Sequence, residues 1–184
     1  MESLTDNFLM GKVKAGEVDK MGLLYERHKK RLFGFFYRMN GSVSLSEDLV
    51  QNVFERMLKY RHTFTGQGSF VAWMFTTARN VNYDYHKKRQ RQQTEREWST
   101  MEYKMEANDD IEGSMEGNED KHLLKLALDR LGGEKREVLV LSKLRELKFS
   151  EVGQILGCSE GAAKVKAHRA LKDLRTIFMQ LQTQ

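Results

Sequence analysis

The sequence predicts an all-α fold: two small helical domains joined by a flexible acidic linker. Three observations carry this. The 184 residues contain no Pro, where ordinary usage of ~5% would supply about nine, and a chain without Pro is free to be nearly all helix. Apolar residues recur at helical spacing in an N-terminal and in a C-terminal block. Between the blocks lies a stretch, Glu-Ala-Asn-Asp-Asp-Ile-Glu-Gly-Ser-Met-Glu-Gly-Asn-Glu-Asp, with few large apolar residues and no sustained amphipathic period. The expected divisions are residues 1–90, an acidic linker over 91–119, and residues 120–184.

The N-terminal block reads as four helices. A short one over residues 5–15 is ended by Gly16. A second over 18–38 carries Leu24, His28, Leu32, Phe35 or Phe36 and Met39 at helical spacing and is stopped by Asn40-Gly41. A third is expected to start at Ser44, where Ser44-x-x-Glu47 forms a capping box, with Leu49, Val50, Val53, Phe54, Met57 and Leu58 as its apolar stripe. Asp48, Gln51, Asn52, Glu55 and Arg56 are left on its other side. After a loop over 61–68, Ser69 caps a fourth helix with Phe70, Trp73, Met74, Thr77, Ala78 and Val81 facing inward.

In the C-terminal block, Leu123, Leu124, Ala127 and Leu131 mark one helix, closed by Gly132-Gly133. Val138, Leu141 and Leu144 mark the next, with Glu134 in a first turn that favours negative charge. Ser150 is expected to cap a short helix, Gly157-Cys158 to form a tight turn, and Ser159 to cap a longer helix reaching about Met179. A short helix, a Gly-containing turn and a longer helix are the parts of a helix-turn-helix.

Charge is segregated along the chain. Residues 95–120 hold ten acidic against two basic residues, which gives −8; a whole-chain charge of +5 leaves +13 for the remainder. A basic body interrupted by an acidic segment points to a polyanionic partner. No apolar run approaches the ~20 residues of a membrane span, and the N-terminus lacks a signal-peptide core, so no membrane insertion is expected. The lone Cys158 excludes an intramolecular disulfide and fits a reducing cytoplasm.

Catalysis is not expected. His28, His62, His86, His122 and His168 are scattered, with no His-Glu-x-x-His, no His/Cys pair at metal-ligand spacing and no phosphate-binding Gly-x-x-x-x-Gly-Lys-Ser/Thr loop. Neither a cofactor nor a metal is implied. Nucleic-acid binding is. In the last helix Ala163, Ala167, Ala170 or Leu171, and Leu174 form a small apolar back. Lys164, His168 and Lys172 lie four apart on the opposite side, flanked by Val165, Lys166 and Arg169. Such a helix fits the major groove, about 12 Å wide. A second basic cluster, His86-Lys87-Lys88-Arg89 with Arg91, ends the fourth helix beside Phe64, Phe70, Trp73, Tyr83 and Tyr85. Aromatic faces beside cations suit unstacked single-stranded bases. Phe70 and Trp73 belong to the apolar stripe, so Phe64, in its Gly-rich loop, and Tyr83 are the expected base contacts.

These motifs together resemble the extracytoplasmic-function sigma factors, the small two-domain members of the sigma-70 family. Ser46-Glu-Asp-Leu-Val-Gln-Asn-Val-Phe54 is similar to region 2.2 of that family. Phe70-x-x-Trp73, Ala78-Arg-Asn80 and Asp84-Tyr85 resemble regions 2.3 and 2.4. The Ser150 to Gly157 segment, and Ser159-Glu-Gly through Arg169-Ala-Leu to Leu174-Arg175, resemble region 4.2. The resemblance implies docking of Asp48, Gln51, Asn52, Glu55 and Arg56 on the clamp helices of the largest polymerase subunit. It implies −10 recognition and melting by Arg61, Phe64, Gln67, Arg79, Asn80, Tyr83, Lys87, Lys88 and Arg91. It further implies −35 recognition by Ser159, Lys164, Val165, Lys166, His168, Arg169 and Lys172. Two departures, Leu131-Gly132-Gly133 where a Leu-Pro pair is usual and Ala162-Ala163 where Thr-Val is common, bear on which −35 sequence is read.

The resulting expectation is a nonenzymatic, dissociable initiation subunit whose partners are core RNA polymerase, promoter DNA and a separate anti-sigma protein. The linker's −8 charge would suit a basic channel normally occupied by nascent RNA. The rival readings are a stand-alone helix-turn-helix regulator with a helical dimerisation domain and a helical adaptor that binds only protein. The polar Asp48-to-Arg56 face separates them, since a dimeric regulator has no need of it.

Overall fold

The computed structural model describes residues 4–99 and 119–183, and every regular element among them is helical. The acidic stretch over 100–118, and with it the expected occupancy of an RNA channel, lies outside the described residues.

Helix α1 (Asp6–Lys14) starts where Thr5 Oγ1 accepts the Phe8 N–H at 3.2 Å, and it buries Leu9, Met10 and Val13. One 3-10 turn over Val18–Lys20 delays the second helix, so α2 spans Met21–Asn40 rather than beginning at Val18. It ends where Gly41 adopts φ 75°, a left-handed cap that glycine takes without steric cost. Helix α3 (Val43–Lys59) begins earlier than the capping-box motif suggests. The cap is Ser42, extended in backbone, whose Oγ accepts the Leu45 N–H at 3.3 Å; Ser44 already lies inside the helix. Helix α4 (Phe70–Ser99) continues nine residues past the boundary expected near residue 90.

Helix α5 (Glu119–Arg130) buries Ala127 and Leu128, keeps Leu123 half-buried and leaves Leu124 outside, which removes Leu124 from the expected inner stripe. Helix α6 (Gly133–Leu139) widens into a π-turn over Val140–Leu144, after which Leu144 points to solvent. Helix α7 (Phe149–Leu156) starts one residue before Ser150. Its first turn is closed by Glu151, whose Oε2 accepts the Lys148 N–H at 3.1 Å. Gly157 ends α7 at φ 66°, and α8 (Glu160–Gln182) starts where Ser159 Oγ accepts the Ala162 N–H at 3.1 Å.

One continuous core runs through both halves, from Leu9 and Val13 through Phe35, Phe75 and Ala78 to Leu141, Ile155 and Ala167. Phe35 meets Phe75 edge to face with centroids 5.6 Å apart, and Phe36 at 5.3 Å. His28 is buried among these residues and bonds Asp6 Oδ2 through Nε2 at 2.8 Å. Burial outweighs that contact and holds its pKa below the ordinary histidine value, so the ring is neutral and donates to the carboxylate.

Polar contacts pin the halves together. Ser69 Oγ donates to Glu151 Oε1 at 2.6 Å, Arg31 Nη2 to the Arg145 carbonyl at 3.2 Å, and Arg136 Nη1 to the Met39 carbonyl at 3.2 Å. The Arg145 guanidinium lies against Gly34, where a Cβ would come within 2.6 Å of Nη1. Burial, followed by the charges of Arg38 and Arg31, lowers the pKa of Arg145. This corner of the inter-half contact is therefore crowded with like charge.

The turn between α7 and α8 is the tightest packing in the helix-turn-helix. A Cβ on Gly153 would meet the Cys158 carbonyl oxygen at 2.7 Å and Ser159 C at 3.2 Å. Those are backbone atoms and cannot swing away. Gly153→Ala is therefore expected to destabilise the C-terminal half by roughly 1–3 kcal/mol, the usual cost of overpacking, as measured by denaturant unfolding. Gly133→Ala, at the first residue of α6, where a Cβ meets nothing within 4 Å, is the control.

Candidate functional site

Helix α8 places Ala163, Ala167 and Ala170 against its neighbours. With no bulk on that side α8 seats closely, and the opposite side stands clear. Ser159, Lys164, Val165, Lys166, His168, Arg169 and Lys172 are all exposed, but they are spread round α8: Lys164 lies on one flank, while Lys166 and Arg169 turn towards a cleft they line with Arg79 and Glu137. Two are already engaged: the Ser159 hydroxyl caps the helix, and Lys164 Nζ pairs with Glu160 Oε1 at 2.6 Å. Val165, His168 and Lys172 lead the outward ridge.

Helix α4 assembles a second surface. Asn80, Tyr83, Lys87 and Arg91 recur at intervals of three and four, form one stripe and are exposed, with Lys88 beside them. Tyr83 is 65% exposed, an aromatic face held open on a helix whose other side is core. Ala78 and Val81 supply that core side. His86 Nε2 bonds Asn40 Oδ1 at 2.8 Å, and burial, then Arg89, keeps its pKa low.

Three of the expected −10 residues sit differently. Phe64 is 3% exposed, packed edge to face on Trp73 at 5.3 Å and Phe70 at 6.3 Å, and its carbonyl accepts from Lys14 Nζ at 2.6 Å. Assigning its ring to base contact is corrected: the loop folds back, and an aromatic cluster inside the domain takes the ring out of water. Arg61 is half-buried and its Nη1 donates to the Leu58 carbonyl at 2.9 Å, closing the end of α3. Arg79 is bound to Glu137, its Nε 3.0 and 3.1 Å from the two carboxylate oxygens. Burial raises the Glu137 pKa, opposed by Arg79. Gln67 remains exposed at the loop tip between Gly66 and Gly68, both at positive φ.

On α3, Asp48, Gln51, Asn52 and Glu55 are exposed in a row, while Arg56 reaches across to α4. Its Nη1 donates to Asp84 Oδ2 at 2.7 Å and its Nε to Asn52 Oδ1 at 3.1 Å. Beside this row, α2 and α3 enclose a cleft of about 410 Å³ lined by Tyr25, Lys29, Phe33, Glu47, Val50 and Gln51. Sequence reasoning missed the α2 wall, although Tyr25, Lys29 and Phe33 recur every four residues. It also missed Glu137 and Glu151, for which no local pattern exists. Among the described residues no cluster of His, Cys, Asp or Glu could hold a metal ion, and no helix is long and apolar enough to cross a membrane.

Two separated cationic helix surfaces and an exposed polar row on a third helix describe a helical protein whose surface suits a polyanion such as nucleic acid. Comparison with known proteins narrows the class. Residues 24–92 match the family Sigma-70 region 2, and residues 121–174 match Sigma-70, region 4. The chain is 33% identical over 175 residues to the RNA polymerase sigma factor CarQ of Myxococcus xanthus, spanning 94% of this chain and 97% of that one. It is 31% identical over 157 residues to the ECF RNA polymerase sigma factor SigX of Bacillus subtilis, spanning 83% and 80%. The fold is shared with CnrH in complex with the cytosolic domain of CnrY, at TM-score 0.71, 20% identity and 95% and 97% coverage. It is also shared with RpoE in complex with the anti-sigma factor NepR from Bartonella quintana, at TM-score 0.67, 23% identity and 86% and 96% coverage. The chain belongs to the sigma-70 family as an extracytoplasmic-function sigma factor, and so acts in transcription initiation by RNA polymerase.

Proposed function

We propose that this sigma factor divides its work among three helices. Helix α3 docks on core polymerase through Asp48, Gln51, Asn52 and Glu55. The α4 stripe of Asn80, Tyr83, Lys87, Lys88 and Arg91 takes the −10 element, with Gln67 at the loop tip. The outer ridge of α8 reads the −35 element. The single observation that supports this most is that both helices are anchored in a common core while exposed basic residues follow the buried segment of α4 and line the outward side of α8. Exposed cations supply phosphate affinity, and the groove-facing members supply sequence choice.

Arg79 enters this scheme conditionally. It can meet DNA only after parting from Glu137, so its use in the −10 complex requires the two halves to shift relative to one another. The pair is partly solvated on the Arg79 side, and Arg145, Arg31 and Arg38 crowd the same inter-half contact. Both features weaken this corner of the contact, while the shared core and the other bonds between the halves oppose separation, so binding to polymerase and DNA has to supply the difference. The protein has no reaction of its own in this reading, acts in the cytoplasm beside the polymerase, and is held in check by a separate anti-sigma protein. CnrH and RpoE, both captured with a bound partner, support that last element.

In vitro transcription with purified core polymerase on genomic fragments, with and without this chain, tests the assignment. Transcripts that start at new sites only when the chain is added are expected; a footprint by the chain alone on palindromic DNA would favour a stand-alone regulator. On the promoter so found, Lys172→Ala is expected to weaken all sequences alike and to reduce the slope of log affinity against log salt by about 1. His168→Ala and Arg169→Ala are expected to cost ~1–3 kcal/mol and to relax preference at single positions. Equal loss on every promoter for all three would contradict base reading by α8.

A further inference from the structure

The ridge of α8 that faces away from the protein is not uniformly cationic. At 3.6 residues per turn, Val165 stands about 190° round the helix from the packed side set by Ala163, Ala167, Ala170 and Leu174. It is the residue aimed most directly outward in the first half of α8, and it is 50% exposed. Gly161 precedes it by one turn on the same ridge; His168, Arg169 and Lys172 follow it, all exposed. An outward valine adds nothing to the core, and its branched Cβ is a mild liability in a helix. The same branching holds it in one rotamer, so its methyl groups form a rigid apolar tip amid the cations.

Gly161 is equally unexplained by the fold. A Cβ there would find only Ser159 Oγ, at 4.0 Å, so no neighbour excludes a side chain. A helical glycine costs up to about 1 kcal/mol relative to alanine. Its bareness benefits something outside the protein: with no side chain at that point, the first turn of α8 can approach a surface closely. Base edges are contacted by the N-terminal residues of a recognition helix. In the major groove the apolar group that base edges present is the C5-methyl of thymine.

We propose that Val165 reads the 5-methyl group of a thymine in the −35 element, with Gly161 letting the helix sit deep enough for that contact. This rests on α8 being the −35 helix, and the test separates the two claims. Each thymine of the −35 element, on either strand, is replaced singly by deoxyuridine, which lacks only the methyl. Affinity is measured for the holoenzyme formed from the full chain and core polymerase. One position, or two adjacent ones, is expected to lose about fourfold on replacement, the worth of one buried methyl group. Val165→Ala, a substitution at an exposed position checked by circular dichroism, should abolish the thymine-to-deoxyuridine difference while retaining affinity for the deoxyuridine promoter. Lys172→Ala should weaken both promoters alike and keep the ratio. Equal affinity at every replacement, a −35 element without thymine, or an unchanged ratio in Val165→Ala overturns the methyl contact. Failure of the holoenzyme to protect the −35 region, with no effect of Lys172→Ala, would instead overturn the assignment of α8 and the methyl contact with it.

Discussion

Asp48→Arg combined with Gln51→Ala is expected to abolish co-purification with core RNA polymerase while leaving the helical circular dichroism unchanged. Both side chains stand exposed on α3, whose opposite side buries Leu49, Val50, Val53, Phe54 and Met57. Surface substitutions away from core, caps and networks usually change stability by within about 0.5 kcal/mol. Asp48 lies beyond the first turn of α3, so its charge does little for the helix dipole. The loss should therefore fall on binding. Reversing a charge in a docking surface both removes an attraction and places like charges together, a combination that costs several kcal/mol. Gln51 also lines the cleft shared with Tyr25, Lys29 and Phe33. If that cleft belongs to the docking surface, Lys29→Glu should reproduce part of the defect. A folded double variant that binds polymerase normally would remove α3 from the interface.

Phe64→Ala is expected to destabilise the N-terminal half by roughly 3–5 kcal/mol, the usual cost of deleting a buried aromatic ring. The ring is enclosed by Phe70 and Trp73, and neighbours locked in the aromatic cluster cannot collapse into the space. Chemical denaturation of the purified variant should show an early transition, and every downstream step, from polymerase binding to promoter opening, should weaken together. Gln67→Ala is the counterpart. At an exposed loop tip between two glycines it should leave stability unchanged. Any effect on promoter opening, read by permanganate, then belongs to DNA capture. A Phe64→Ala protein of normal stability that opens promoters slowly would return the ring to the DNA.

Legibility in the sequence followed the range of the interactions involved. The inner stripes of α3 and α8 were readable because residues three and four apart share a helix face. The Ser69 and Ser159 boundaries were readable because capping acts over two or three residues. Ser44 and Ser150 misled for different local reasons: Ser42, Ser44 and Ser46 all stand near the start of α3 and backbone geometry selected Ser42, whereas the first turn of α7 is closed by the neighbouring carboxylate of Glu151 instead of a hydroxyl. Phe64 misled because its partners lie beyond a Gly-rich loop, outside any helical period.

The amino-acid sequence by itself determined the helical class, the basic ridge on α8, the polar row on α3 and the family to which these belong, since each is written in residues close along the chain. Only the tertiary structure decided that Arg79 is held by Glu137, 58 residues away, and that Ser69 joins Glu151 across 82. It alone turned Phe64 inward and left Val165 exposed on the outward ridge of α8. Contacts of that span depend on how two amphipathic halves share one core. Burial and charge pairing settle that jointly over the whole molecule, and no window of neighbouring residues contains both sides of the balance.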